Sequence, residues 1–416
     1  MKTAYELLKE LYFERVSGSE NEIKAADLIE NSLREAGVEA YQETFETQGA
    51  VIEKVSFEVL TPYQKSYEAT AYYNCGSVEN LEADLLYYEQ ESDVLKKQAE
   101  GKVLLVNGYV GIAGYKKFAD TKAKAFISYN GKIDHYKDYD LDQREFREPL
   151  AALGKMIGIN IKVEDAMELV QKQAQRVRIS VKQTEGTKTS RNVVAEVDGY
   201  ENEEVIVLSA HYDSVPNSRG IYDNATGVVA LYDMARYFKE HKPRHHLRFL
   251  FCGSEERGLL GSKAYCKNHP DALKEIRLNI NLDMLGSIMG KRVAVATAEE
   301  ALVHYIDYFA KEVGFPLESR QGVYSSDSTP FADAGVPAVS FARLTSPGTG
   351  EIHHRFDVIE HLDERLLMED IDFVRQFTER MANSFTVMVK KEIPQNMKDE
   401  IDKYYGREKK EGKSTC

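Results

Sequence analysis

Val205-Ile206-Val207-Leu208-Ser209-Ala210-His211-Tyr212-Asp213 is a near-continuous apolar run that stops at a histidine and an acid. A short run of this kind reads as a buried strand, and it places His211 just beyond the carboxyl end, where ligand sites of α/β sheets gather. Working outward, Asn192-Val193-Val194-Ala195-Glu196-Val197 reads as a preceding strand. Residues 227–241 read as an amphipathic helix burying Val228, Leu231, Met234, Ala235 and Phe238, and residues 247–252 and 276–284 as further strands. Strand–helix alternation implies an α/β fold with a mixed, mainly parallel sheet flanked by helices. A final helix over about 363–391 is expected to pack on it.

Towards the amino terminus the texture differs. Tyr5, Leu8, Leu11 and Tyr12, then Ile23, Ala26, Leu28, Ile29 and Leu33, recur at helical spacing, with Ser19 as an N-cap and Gly37 as a stop. From about Val51 short strand patterns take over, such as Phe57-Glu58-Val59-Leu60 and Lys102-Val103-Leu104-Leu105-Val106, up to the alternating Arg176-Val177-Arg178-Ile179-Ser180-Val181. The expected organisation is therefore a helical part of the catalytic domain at 1–48, an inserted β-rich domain at 49–187, the catalytic α/β domain at 188–394, and a solvated polar tail at 395–416.

Composition excludes several classes. A chain of 416 residues with 43 % hydrophobic and 29 % charged content can bury two ordinary cores. A formal net charge of −14 and a pI near 5.4 argue against a nucleic-acid or anionic-membrane partner, either of which wants a basic face. No run of about 18 apolar residues occurs, and acids interrupt the first ten positions where a secretory signal needs an apolar stretch, so a soluble cytoplasmic protein is expected. Cys75, Cys252, Cys266 and Cys416 lack disulfide or zinc-knuckle spacing and read as reduced thiols.

The chemistry lies at the strand ends. Asp213 follows His211 by two and is placed to orient an imidazole that binds metal. Asp223 in Tyr222-Asp223-Asn224-Ala225-Thr226-Gly227 opens a helix, where an acid is most often an N-cap; a Pro216/Gly220 loop short enough to return it to the rim of His211 favours a ligand. Glu255 and Glu256 end an apolar strand as adjacent acids that repel unless they meet solvent, Arg257 or a cation. With a cation they divide the work, one binding it and the other taking a proton from water. Asp283 ends another strand, and His353 or His354 supplies a second nitrogen. His211 and Asp283 on one zinc ion, Glu256 and a histidine on the other, and Asp223 between them make the count for two zinc ions.

These motifs resemble the M28 zinc peptidases. The matching text is Ala210-His211-Tyr212-Asp213-Ser214, residues 222–227, Ser254-Glu255-Glu256-Arg257-Gly258-Leu259-Leu260-Gly261-Ser262, Asn281-Leu282-Asp283-Met284, Ser326-Asp327-Ser328-Thr329-Pro330-Phe331 with Gly335-Val336-Pro337-Ala338, Ile352-His353 with Asp357, and Arg15-Val16-Ser17-Gly18-Ser19-Glu20 near the start. The resemblance implies two zinc ions on His211, Asp223, Glu256, Asp283 and His353, with Glu255 as general base, Asp213 behind the ligands, and a peptide as substrate. It selects His353 over His354 because the ligand histidine of such proteins lies four before an acid, here Asp357. Such proteins comprise aminopeptidases and related carboxypeptidases, and an aminopeptidase is the leading reading. The insert is similar to a protease-associated domain, through residues 101–106 and 123–130, and in such relatives it restricts substrate size.

Two positions depart from the pattern. Many relatives carry Tyr before the ligand histidine as oxyanion donor, where this chain has Ile352, so the donor is another group, with Tyr324 as candidate. Ser328 stands where His or Tyr is common. Competing readings are a glutaminyl-cyclase-like transferase, an M20-type deacylase, against which the insert lies on the wrong side of the HxD, and a binding protein on an inactive scaffold. A free carboxylate on the substrate would want an arginine, for which Arg219 and Arg343 lie in loops; a free amine would want an acid beside the base.

Overall fold

The apolar run forms the strand Val205–His211, buried at every position, in a computed structural model that describes residues 2–108, 110–132, 140–146, 148–201, 204–346 and 348–407. Ile206, Leu208 and Ala210 join one apolar cluster and Val205 and Val207 another, so both faces of this strand are covered. The first cluster draws on the helices Ala4–Glu10, Glu20–Glu35, Thr226–Glu240 and Glu364–Asn383 through Leu8, Ile29, Val228, Phe238 and Phe377. The second takes Tyr265 from the helix Leu260–Asn268 and Phe331 from Ser328–Asp333.

The chain divides into two compact units, residues 1–47 with 189–416 and residues 48–188. In the first, strands lie in the order Glu318–Gln321, Gly290–Thr297, Ala338–Thr345, Ile276–Leu282, Val205–His211, His246–Cys252 and the end of Arg176–Val197. Val205–His211 is parallel to both its neighbours, and Ile276–Leu282 is parallel to Ala338–Thr345. Antiparallel pairing joins His246–Cys252 to Arg176–Val197 and Gly290–Thr297 to Ala338–Thr345. The sheet is thus mixed and mainly parallel. Its central polar positions are satisfied across strands: Ser209 Oγ pairs with Asn281 Oδ1 at 2.9 Å, and Asn281 Nδ2 donates to Ser326 Oγ at 2.9 Å.

The second unit has its own core of Tyr72, Tyr115, Phe118, Phe126 and Phe146. Val78–Tyr88, Val103–Val106, Ala125–Asn130 and Ile157–Lys162 are successive parallel neighbours. The helices Asp93–Ala99 and Ile112–Lys116 run between them and Val163–Gln171 follows the last, all three absent from the β-rich reading. Seven, five and nine residues are too few to display a helical period over a strand-forming background.

The expected solvated tail is corrected over its first part. Gln395–Tyr404 is a helix whose Met397 and Ile401 are buried with Ile393, Ala332 and Ala338. Two apolar residues four apart suffice to dock one turn-repeat, and they were hidden among charges. Residues 408–416, with Cys416, lie outside the described residues. The last long helix also ends early, at Asn383, because Ser384 turns extended. Among the described residues no helix is long and apolar enough to cross a membrane, and Cys75, Cys252 and Cys266 are free thiols.

Candidate metal centre

Three adjacent parallel strands deliver the first residues. His211 closes Val205–His211 opposite Cys252, Glu255 and Glu256 follow Cys252, and Asp283 follows Leu282. Asp223 comes from the turn Ile221–Ala225, and it is not a helix cap: the Oδ1 that accepts the Gly227 amide, at 2.9 Å, belongs to Asn224. The same Oδ1 accepts from Met284 N at 3.1 Å, while Asn224 Nδ2 donates to Leu282 O at 2.9 Å, so this turn is tied to the strand that carries Asp283. Gly227 lets them approach, since a Cβ there would stand 2.4 Å from Leu282 O. The peptide between Asp223 and Asn224 is cis.

Asp213 does more than orient an imidazole. Its Oδ1 is 3.6 Å from His211 Nδ1, and its two oxygens accept from the backbone amides of Glu255 at 2.9 Å and Glu256 at 3.2 Å. It thereby holds the acid pair to the His211 strand. Ser254, left-handed at φ 57°, turns the chain into that pair, and its hydroxyl meets Ser17 Oγ.

Asp223 stands at the centre. Its Oδ1 lies 3.1 Å from His211 Nε2 and its Oδ2 3.2 Å from His353 Nε2, one oxygen for each imidazole. Asp283 Oδ1 is 3.7 Å from His211 Nε2, and Glu256 Oε2 is 3.0 Å from His353 Nε2. Two donor groups result, His211–Asp223–Asp283 and Asp223–Glu256–His353, each with its ligand atoms within 4.8 Å of one another. Glu255 Oε2, 4.0 Å from His211 Nε2, stands beside them and belongs to neither. His354 turns inward against Phe356 and is also in neither group.

The donor set fits zinc. Imidazole nitrogens and carboxylate oxygens are zinc ligands, and Asp283 Oδ1 is buried without a hydrogen-bond partner among the described residues, as a donor reserved for a cation would be. Cys252 and Cys266 offer no thiolate, because burial pushes both thiols up, Cys266 to about 12.

Residues 192–378 match the model of peptidase family M28. This segment is similar to the M28 peptidases. The chain is 27 % identical over 403 residues to Aminopeptidase YwaD of Bacillus subtilis, covering 88 % of this chain and 81 % of that protein. It is 31 % identical to Leucine aminopeptidase 2 of Trichophyton rubrum over 58 % of this chain, and it spans about half, 50 %, of that relative's length. The fold is that of a crystallised zinc aminopeptidase from Bacillus subtilis, with a TM-score of 0.77, 24 % identity, and 94 % of this chain and 98 % of that one covered.

Electrostatics in this segment favour bound cations. Burial pushes the Glu255 carboxyl well above the usual carboxylate range, His211 opposes, and Glu256, Asp327 and Asp283 reinforce the rise. Burial disfavours charge on His211, yet Glu255, Asp213, Asp223 and Asp283 outweigh it and raise its pKa well above the ordinary value. Buried like charges at this density are stable only when paired with positive charge.

Two participants carry roles that the sequence did not assign. Asp327, pushed up to about 6 by burial, bonds Ser262 Oγ at 2.5 Å behind Cys252. Glu22, pushed up to about 7 by burial and by Asp213, bonds Ser190 Oγ at 2.6 Å beneath the Gly253–Ser254 turn. An acid in an amphipathic helix looks solvated in sequence, so Glu22 gave no signal. The two arginines considered as carboxylate anchors are engaged elsewhere. Arg343 is buried, donates to Ser287 O at 2.6 Å and faces Asp370 at 3.6 Å; Arg219 stacks on Tyr12 and donates to its hydroxyl at 2.8 Å.

Proposed function

We propose that the chain is a zinc-dependent aminopeptidase that hydrolyses N-terminal residues from peptides, with two zinc ions held by His211 and Asp283, by Glu256 and His353, and by Asp223 between them. The observation that carries this reading is the meeting of the two donor groups at opposite oxygens of Asp223. When bound, the ions supply Lewis acidity, polarising the scissile carbonyl and bringing the pKa of a water towards about 7. Glu255 then takes a proton from the attacking water and passes it to the leaving amine, a role suited to a buried carboxyl of raised proton affinity. The relatives named aminopeptidases support release from the amino end, and so does the engagement of Arg219 and Arg343 away from the donor groups. The unit of residues 48–188 we read as protease-associated-like, on the strand text at 101–106.

With Ile352 before the ligand histidine, the donor to the developing oxyanion is Tyr324. Its hydroxyl is buried with no hydrogen-bond partner among the described residues. Burial, then the charges of Asp283 and Asp223, push its pKa well above the ordinary value, so it stays protonated and can only gain from a negative acceptor. Tyr324→Phe is expected to lower kcat by about 10²-fold with KM little changed, since one preorganised donor is lost. Steady-state kinetics with kcat unaltered removes Tyr324 from this role.

Zinc-reconstituted protein offered aminoacyl, N-blocked and C-blocked peptides tests the reaction. Peptides with a free amine, C-blocked ones included, are expected to be cleaved and N-blocked ones to resist. Cleavage that instead requires a free carboxylate overturns the aminopeptidase reading, and loss of ammonia from a glutamine-headed peptide replaces it with cyclisation.

A further inference from the structure

Arg15 is fully buried, which for an arginine demands a reason. Its guanidinium donates to five carbonyls: Nε to Tyr212 at 2.5 Å, Nη1 to Leu11 at 2.7 Å, Phe13 at 2.8 Å and Arg219 at 2.6 Å, and Nη2 to Gly220 at 2.7 Å. Its backbone also exchanges hydrogen bonds with Ser214, N to Oγ at 3.0 Å and O from N at 3.2 Å. Four of the residues it grips, Tyr212, Ser214, Arg219 and Gly220, lie on the loop between His211 and Asp223.

Asp357 takes the other end of that loop. Its Oδ1 accepts from Tyr222 N at 2.8 Å and its Oδ2 from Asp223 N at 3.1 Å. Both carboxylate oxygens are therefore spent on consecutive amides, one of them the amide of the central carboxylate residue. Asp357 also closes the turn that starts at His354, next to His353, through Asp357 N to His354 O at 3.0 Å. Burial disfavours charge on Arg15, and Asp357 is the strongest of the carboxylates that act through space to favour it.

We propose that Arg15 and Asp357 are positioning residues that act as one clamp, Arg15 by the carbonyls and Asp357 by the amides, fixing Asp223 where a single carboxylate can serve two cations at once. The inference rests on the two-zinc reading and adds to it the residues that make the shared ligand rigid. Bridging two ions about 3.5–4 Å apart leaves little freedom, because a carboxylate displaced by an ångström serves one ion and abandons the other. Lysine cannot replace Arg15, since one ammonium lacks the planar five-donor fork that spans Tyr212, Arg219 and Gly220. Asparagine at 357 keeps the volume but turns an NH₂ towards one of the two amides.

Zinc competition against a chromophoric chelator on the full chain tests this, with the absorption spectrum of the cobalt-substituted protein and the melting temperature of the metal-stripped protein as companion readouts. Arg15→Lys and Asp357→Asn are each expected to weaken zinc by about 10- to 100-fold and to alter the cobalt spectrum, as loss of groups supporting metal ligands does. Leu8→Ala, in the same N-terminal segment, is the control: it lowers the melting temperature and leaves zinc affinity and spectrum as in the parent. Parent-like zinc affinity and spectrum in folded Arg15→Lys and Asp357→Asn overturn the clamp and leave both residues merely structural. If Arg15→Lys does not fold, Asp357→Asn decides alone by the same criteria. A parent protein that binds no zinc sinks the two-zinc reading instead, so the two failures are distinct.

Discussion

Glu255→Gln is expected to lower kcat by roughly 10³- to 10⁴-fold while both zinc ions stay bound, the upper range for losing a general base. The reason is positional. Glu255 belongs to neither donor group, but its Oε2 reaches within 4.0 Å of His211 Nε2, beside where the ions are proposed to sit. Its backbone is held by Asp213 independently of its side chain, so glutamine keeps the loop and the Glu256 donor in place. Only proton acceptance is lost. Metal analysis and steady-state kinetics on one preparation check this, with KM expected to change little because binding is not what the carboxylate supplies. Peptide cleavage at the parental rate ends the assignment of Glu255, and loss of zinc would instead make it a ligand.

The contrast between Glu255 and Asp357 explains what was readable in the sequence. Glu255, Glu256, His211 and Asp283 all follow apolar runs, and a parallel sheet buried on both faces must end its strands on one rim, so their convergence could be anticipated from pattern alone. Asp357 and Arg15 act through backbone amides and carbonyls, whose partners have no sequence signature, and they reach one loop from opposite ends of the chain. Asp213 shows the same limit within one residue: its proximity to His211 was visible in the HxD spacing, whereas its grip on the Glu255 and Glu256 amides was not. The helix Gln395–Tyr404 was illegible for another reason, since its burial depends on Ala332 and Ala338, which only the tertiary fold brings near.

His211→Ala is expected to abolish turnover, to lose zinc and to erase the stabilisation that zinc gives. His211 and His353 differ in burial, and that difference orders the two alanine variants. His211 is 1 % exposed, and its removal leaves Asp283 and Glu255 in the interior beside Asp223, whose one remaining imidazole, His353, lies on its other oxygen. The side chain of His353 is 49 % exposed, so water can enter when it is cut back and the second donor group keeps two carboxylates. Zinc should therefore be retained better by His353→Ala than by His211→Ala. A ligand bound to the native state at a thousandfold excess over its Kd stabilises it by about 4 kcal/mol, so chelation is expected to lower the apparent melting temperature of the parent markedly. The same chelator should barely move His211→Ala, because the linkage has already been removed. Thermal scans with and without chelator, beside metal analysis of each variant, give the comparison. Two zinc ions and an undiminished chelator response in His211→Ala would mean that this histidine packs the strand end and binds nothing.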